Sequence, residues 1–314
     1  MTIRNHVVVV GSLNADLVAR VERQPDTGET VPGWDFQRIP GGKGLNQAIA
    51  TARAGANVTM IGAVGNDDLA KMLKRAAEDS GINTDHIREH DGPSGIAIIS
   101  VANDASNRII VIPGANETLT RTRIEETKSV IQSANVVVAQ LETPIDGIHE
   151  ALRQARSGTA ITVLNPAPVI PIPDELYALT NYLIVNEYEA GLLAHTTVSN
   201  QEDAKQAANI LIKKGATRVI VTLGANGSII ADQYGSEYFP PYEVNAVDTT
   251  AAGDSFVGNF AASLAKGMQL DSAMKRANAA GAICATRPGA APSIPTGKEV
   301  NDFVLQQDGF DIPQ

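Results

Sequence analysis

Short runs of aliphatic and β-branched residues alternate along most of this 314-residue chain with longer segments of helical period, and that alternation limits the fold more than any other feature. The runs at 6–10, 58–62, 136–140, 160–164, 182–185 and 218–223 read as buried strands of a sheet covered on both faces. Segments 46–54, 67–80, 121–132, 145–155, 187–194, 202–213, 252–265, 270–285 and 298–306 carry the helical period. The predicted fold class is therefore α/β, and residues 1–314 read as one domain.

Two stretches interrupt the rhythm. Residues of about 15–40 and 93–113 read as strand and turn with no helix between, the second as strands 95–102 and 107–112 around the turn 103–106. They predict a small sheet standing off the main body as a lid or an association surface, because exposed flat sheets need a substrate or a partner to cover them. The Pro-rich piece 165–173 lies between a strand and a helix and reads as a rigid loop.

Composition excludes several classes. A formal net charge of −10 with no basic cluster argues against a nucleic-acid partner. The apolar run 7–10 is too short for a signal-peptide core, and no stretch reaches membrane length, so a cytoplasmic protein without a membrane partner is expected. The single cysteine, Cys284, cannot form an internal disulfide, which fits a reducing compartment. The five histidines show no metal-ligand spacing and lie far from any nucleophile motif, which speaks against a zinc enzyme or a triad hydrolase.

Asp248-Thr-Thr-Ala-Ala-Gly-Asp254 runs straight into the apolar segment 256–264. Small residues let the backbone turn tightly into a helix, whose first N–H groups and positive dipole end can hold an anion. Asp254 falls in that first turn, an acid where phosphate oxygens would gather, which suits orienting a hydroxyl for attack on a phosphoryl group. Kinase chemistry is the first functional expectation.

Gly41-Gly-Lys-Gly-Leu-Asn-Gln-Ala48 opens an Ala-rich helix. Its glycines permit close backbone approach, and Lys43 with Asn46 can hydrogen-bond ligand oxygens, although the same pattern serves an ordinary loop into a helix. Neither G-x-x-x-x-G-K-[ST] nor G-x-G-x-x-G occurs, which removes two common nucleotide fingerprints. Gly11-Ser-Leu-Asn-Ala-Asp16 follows the first predicted strand, so Asn14 and Asp16 either read a polar substrate beyond the sheet or form an Asx turn. Glu142, Asn186 and Glu189 also follow predicted strands and either face the same crevice or cap the next helix. Thr222-Leu-Gly-Ala-Asn-Gly227 reads as a tight turn whose glycines also let a flat base or a phosphate reach the main chain. These elements occur in order, each at a strand end or a helix start, and coincidence explains that poorly.

Together with Leu164-Asn-Pro-Ala-Pro168, these motifs closely resemble those of the ribokinase-like carbohydrate kinases, also called the phosphofructokinase-B family, from about residue 7 to 295. The resemblance implies a three-layer α/β/α, Rossmann-like domain with a small β-sheet lid that often mediates homodimerisation. It implies transfer of the ATP γ-phosphoryl group to the primary hydroxyl of a pentose, foremost D-ribose to D-ribose 5-phosphate. Deoxyribose, another furanose or a nucleoside is the alternative acceptor. A catalytically silent sugar-binding regulator is the rival outside enzymes, opposed by the intact Gly253-Asp254 pair and Lys43. With 4% aromatics, chiefly Trp34 and Phe36 in the first lid segment, the surface available to cover a nucleoside base is thin.

Site roles follow from the same resemblance. Asn14, Asp16, Gly42, Lys43, Asn46 and Glu142 match positions that hold the sugar, and Asp254 matches the catalytic base. Ala251, Ala252 and Gly253 match the backbone hole for the transferring phosphate. Asn186, Thr222, Gly224, Gly227 and Asn278 match positions around ATP, and the Asn186-x-x-Glu189 pair matches a motif linked to Mg2+. A monovalent-cation site for K+ maps to Asp248, Thr250, Cys284, Arg287, Gly289 and Ser293, several through main-chain carbonyls. Asn259, Pro288 and Ala291 depart from the family pattern, the last two in the loop around the cation.

Overall fold

Val7, Val8, Val9 and Val10 have no exposed surface at all, and a strand hides consecutive side chains only where both faces of its sheet are covered. In the computed structural model, which describes residues 5–104 and 106–308, this strand is β1 (His6–Val10) and lies inside a nine-stranded sheet. With strands numbered along the chain, the order is β13 (Gly235–Phe239), β12 (Ser228–Asp232), β11 (Arg218–Thr222), β10 (Tyr182–Asn186), β9 (Ile161–Leu164), β8 (Val136–Ala139), β1, β4 (Asn57–Val64) and β5 (Asn83–Glu89). From β11 to β5 every pairing is parallel, and β12 and β13 close the other edge antiparallel.

Successive side chains of a strand face opposite layers, and the core divides accordingly. Val7 and Val9 pack with residues of α1 (Lys43–Arg53), α2 (Asp68–Asp79), α9 (Ala252–Ala265) and α10 (Leu270–Ala285). Val8 and Val10 pack with residues of α3 (Arg121–Glu125), α4 (Lys128–Ser133), α5 (Ile145–Ser157), α6 (Asp174–Ala178), α7 (Glu187–Ala194) and α8 (Gln201–Lys213). The last helix, α11 (Gly297–Asp308), packs Val300 and Val304 against Ala279, Ala280 and Ile283 of α10. The three-layer α/β/α arrangement expected of the sequence is what folds.

A second, four-stranded sheet has the order β3 (Gly33–Gly41), β2 (Asn14–Val21), β6 (Gly95–Val101) and β7 (Asn107–Ile112). Its strands are the two stretches that broke the helical rhythm. The turn 103–106 includes Ala105, which lies outside the described residues. The chain enters this sheet directly from β1 through Gly11-Ser-Leu13 and leaves it through Gly42 into α1.

Three local readings change. The helix expected over 121–132 is two short helices, α3 and α4, separated at Glu126-Thr127. The Thr127 hydroxyl donates to the Ile124 carbonyl at 2.8 Å, a local bond that competes with helix continuation. The helix expected from residue 46 begins at Lys43, inside the glycine-rich segment. Strands β5 and β13 went unpredicted; both are edge strands.

Candidate active site

Strand order in the large sheet reverses between β1 and β8: the chain proceeds outward from β1 to β4 and β5, and from β8 to β9, β10 and β11. Ligand crevices in such sheets form beyond the carboxyl ends of strands at that switch point. The expected site residues leave the sheet there. Asn14 and Asp16 follow β1, Glu142 follows β8, Asn186 ends β10 and Thr222 ends β11.

Glu142 ties the switch point together. Its Oε2 accepts from the Ser12 hydroxyl at 2.5 Å, the Lys43 N–H at 3.0 Å and the Asn14 amide at 3.3 Å. Gly42, the residue before α1, offers no side-chain cap, so this distant carboxylate satisfies the first N–H of the helix. Gly42 itself has φ of 90°, and a Cβ there would sit 2.7 Å from the Asn14 nitrogen, so only glycine makes the turn. Asn14 is 2% exposed, and its Oδ1 accepts from the Asn116 amide at 2.8 Å. Its carboxamide therefore serves the scaffold.

Asp254 lies in the first turn of α9, whose preceding residue, Ala251, takes a left-handed conformation with φ of 61°. The carboxylate is 7% exposed; Oδ1 accepts from Gln47 Nε2 at 2.9 Å and Oδ2 from Asn46 Nδ2 at 3.1 Å. Both donors come from α1, which lies so close to α9 that a Cβ on Gly258 would stand 2.8 Å from the Gln47 carbonyl and the Thr51 nitrogen. One cleft of about 200 Å³ joins Asp254, Gly253 and Ala251 to Lys43, Glu189 and Thr222.

Three carboxylates act on one ammonium here, and a fourth, Asp16, lies beside two of them. Burial works against the Lys43 charge, but Asp254, Glu142 and Glu189 outweigh it and hold its pKa above the usual lysine range. Burial, with Glu142 and Asp254 nearby, pushes the Asp16 carboxyl up to about 7. Burial likewise raises Glu189, partly offset by the Asn186 N–H and Lys43. Such crowding of like charges is costly in an empty site and is common where polar ligands bind.

Not every expected residue stands in this cleft. The Ala252 N–H donates to the Thr249 carbonyl at 3.1 Å, which leaves Gly253 and Asp254 as the helix N–H groups without a backbone partner. Asn186 and Glu189 form a reciprocal capping box on α7, with bonds of 2.8 and 3.0 Å, and both still line the cleft. Asn278 accepts from Ser228 at 3.0 Å and lines a separate cleft of about 460 Å³ with Phe239 and Tyr242. Gly224 and Gly227 form the turn between β11 and β12 with φ of 52° and 83°.

At the expected cation loop, Asp248 Oδ1 accepts from the Thr250 N–H and hydroxyl at 2.9 and 2.6 Å, and Oδ2 accepts from the Gly289 N–H at 2.8 Å. Burial raises Asp248, but these bonds prevail and hold it below the usual carboxylate range. Cys284 Sγ lies 3.0 Å from the Ser293 hydroxyl and 3.5 Å from the Thr250 carbonyl, and burial pushes its thiol up. The Arg287 guanidinium turns away to Glu299 at 2.6 Å. Among the described residues no group of three or more His, Cys, Asp or Glu side chains is placed to hold a metal.

A family model described as pfkB family carbohydrate kinase matches residues 4–297. The chain belongs to that family. It is 40% identical over 300 residues to a ribokinase of Staphylococcus aureus, covering 95% of this chain and 99% of that one. A ribokinase of Haemophilus influenzae is 38% identical over 302 residues, covering 96% and 99%. Among solved structures, Arabidopsis thaliana ribokinase complexed with ribose and ATP superposes with a TM-score of 0.90 at 30% identity, covering 95% of this chain and 98% of that one.

Several polar residues of this site carried no expected role. Ser12 and Asn116 hold Glu142 and Asn14, and Gln47, Gln140 and Asn165 form a buried amide chain behind Asp254. Gln140 and Asn165 each directly follow a parallel strand, and that position was the available signal.

Proposed function

We propose that this chain is an ATP-dependent sugar kinase that transfers the γ-phosphoryl group to the primary hydroxyl of D-ribose, giving D-ribose 5-phosphate. Its membership of the carbohydrate kinase family supports the reaction class, and relatives named ribokinase over nearly the full chain support the sugar. The observation that carries the reading is the joining of Asp254, the open Gly253 N–H and Lys43 in one cleft. Asp254 orients the attacking hydroxyl and takes its proton, the amides at the start of α9 receive the charge of the transferring group, and Lys43 neutralises phosphate oxygens. Asn14, Asp16, Gly42, Asn46 and Glu142 hold the sugar hydroxyls. Thr222, Gly224, Gly227 and Asn278 receive the nucleotide.

A divalent cation fits the cleft's charge. Lys43 faces Asp254, Glu142 and Glu189, so a polyphosphate enters favourably only with added positive charge. Glu189 Oε2 is used in its capping box while Oε1 has no partner among the described residues, so Glu189 and Asn186 would hold Mg2+, directly or through water. When bound, Mg2+ supplies neutralisation of phosphate charge. The Asp248 carboxylate and the Thr250 carbonyl before α9 and the Ser293 hydroxyl after α10 are hard oxygen donors that would hold K+, with main-chain oxygens of neighbouring loop residues. Potassium chloride in sodium-free buffer is expected to raise the rate; equal rates with and without it would remove that assignment.

The four-stranded sheet is read as a lid over the sugar and as the seam of a homodimer, the whole chain working as one domain. In register, Asp16 shares its face with Ala97 and Val111, whereas Phe36, Ile98, Ile110 and Ile112 fall on the opposite face. Those four are 43–62% exposed, an apolar surface a second copy would cover. No helix among the described residues is long and apolar enough to cross a membrane, and a kinase drawing on ATP is placed in the cytoplasm. ADP release measured with ribose, deoxyribose, fructose and adenosine tests the reading. Ribose should give the highest kcat/KM; a preference for deoxyribose or adenosine would move the acceptor, and no ADP with any would end it.

A further inference from the structure

We propose that Gln47, oriented by Gln140 and Asn165, is a positioning residue that fixes the rotamer of Asp254 for proton transfer; this rests on the reading of Asp254 as the base. Gln47 has no exposed surface, Gln140 is 1% exposed and Asn165 is 8% exposed. The amides form one continuous chain. Asn165 Nδ2 donates to the Ile184 carbonyl at 2.9 Å, Gln47 Nε2 donates to Asn165 Oδ1 at 3.0 Å and to Asp254 Oδ1 at 2.9 Å, and Gln140 Nε2 donates to Gln47 Oε1 at 2.7 Å.

The direction of every bond in that chain is determined. A backbone carbonyl only accepts, so Asn165 must present its nitrogen to Ile184 and its oxygen to Gln47. Gln47 must then present its nitrogen, and its two N–H groups are both spent, one of them on Asp254. Its oxygen is left for Gln140. Neither Asn165 nor Gln47 can flip without breaking at least two bonds in a buried site, where each loss leaves an unsatisfied polar group, whereas Gln140, whose buried Oε1 has no partner among the described residues, is held by its one bond to Gln47.

The consequence falls on Asp254. A carboxylate in the first turn of a helix has torsional freedom about its side chain, and Ala251 before it is already held in a left-handed conformation. Asn46 grips Oδ2 and Gln47 grips Oδ1. Two donors on two oxygens fix the plane of the carboxylate, and each oxygen keeps a second lone pair for a substrate hydroxyl. The anchors of the chain belong to the sheet: Gln140 follows β8, Asn165 follows β9 and Ile184 is in β10. The orientation of the base is thus referred to the most rigid part of the molecule, the requirement for a reacting group held to within fractions of an ångström.

The test is steady-state kinetics of Gln47→Met and Gln140→Leu, with sugar KM, ATP KM and thermal melting measured on each, and of both substitutions again in an Asp254→Asn background. Gln47→Met keeps volume and removes the donor, and should lower kcat by about 10- to 100-fold with both KM values within about threefold. Gln140→Leu, one bond further away, should lower kcat by a smaller factor, so that the proposal survives if Gln47→Met fails to fold. In the Asp254→Asn background neither should lower the residual rate further. Near-normal kcat in Gln47→Met beside a dead Asp254→Asn would overturn the positioning role and leave the base standing. Near-normal turnover in Asp254→Asn would overturn both. A kcat loss that persists undiminished in the Asp254→Asn background would show that Gln47 acts on something else.

Discussion

Asp16 shows at the scale of one residue how a site built for hydroxyls strains the protein that carries it. Burial, with Glu142 and Asp254 nearby, pushes its carboxyl up to about 7, well above the ordinary aspartate range, so the folded state binds that proton more tightly than the unfolded chain. Stability from this group is then greatest at low pH and falls as pH rises through the window from about 4 to about 7. Replacing Asp16 by Asn removes the ionisation. The melting temperature of D16N relative to the parent is expected to rise between about pH 5 and pH 8, read by scanning calorimetry, and a constant difference would contradict the assignment. On the sugar-holding role proposed for Asp16, the same substitution should also raise sugar KM by about 10- to 100-fold. The gathering of Asp16, Lys43, Glu142 and Asp254 was legible because each follows a strand or opens a helix. Gln47 and Asn116 were not, since a buried amide inside a motif looks the same in sequence whether it faces ligand or scaffold.

Among elements, the decisive contact is α1 against α9, because it alone brings Asn46 and Gln47 to Asp254 across more than two hundred residues of chain. Gly258 permits that approach. Gly258→Val should push the helices apart, cost about 1–3 kcal/mol of stability by overpacking, and lower kcat at least tenfold; unchanged kcat in a folded variant would show that the spacing is not limiting. The sequence displayed the inner strands because burial on both faces demands consecutive apolar residues, as at Val7 to Val10. It hid β5 and β13 for the same reason in reverse: as sheet edges they are mostly exposed, with sequences NTDHIRE and GSEYF that carry no apolar run. The break between α3 and α4 was hidden because its cause, the bond from Thr127 to Ile124, is made by a residue type found within many helices.

In the whole molecule, the proposed chemistry lies at the switch point of one sheet and the proposed association on the outer face of another. Sedimentation equilibrium should return a dimer, and Ile98→Glu with Ile110→Glu should shift it to monomer with its far-UV spectrum unchanged, because two charges would be buried unpaired at the seam. A monomeric parent protein would refute the seam. The four-stranded sheet and the main sheet meet at Asn14, Gly42 and Glu142, so on the proposed lid role sugar binding and closure are expected to report on each other. Everything in the proposed reaction passes through Asp254, and the most direct measurement is the turnover of Asp254→Asn beside its affinities for ribose and ATP by calorimetry. The account predicts a kcat lower by about 10²- to 10⁴-fold with both affinities within about tenfold; turnover close to that of the parent protein would contradict it.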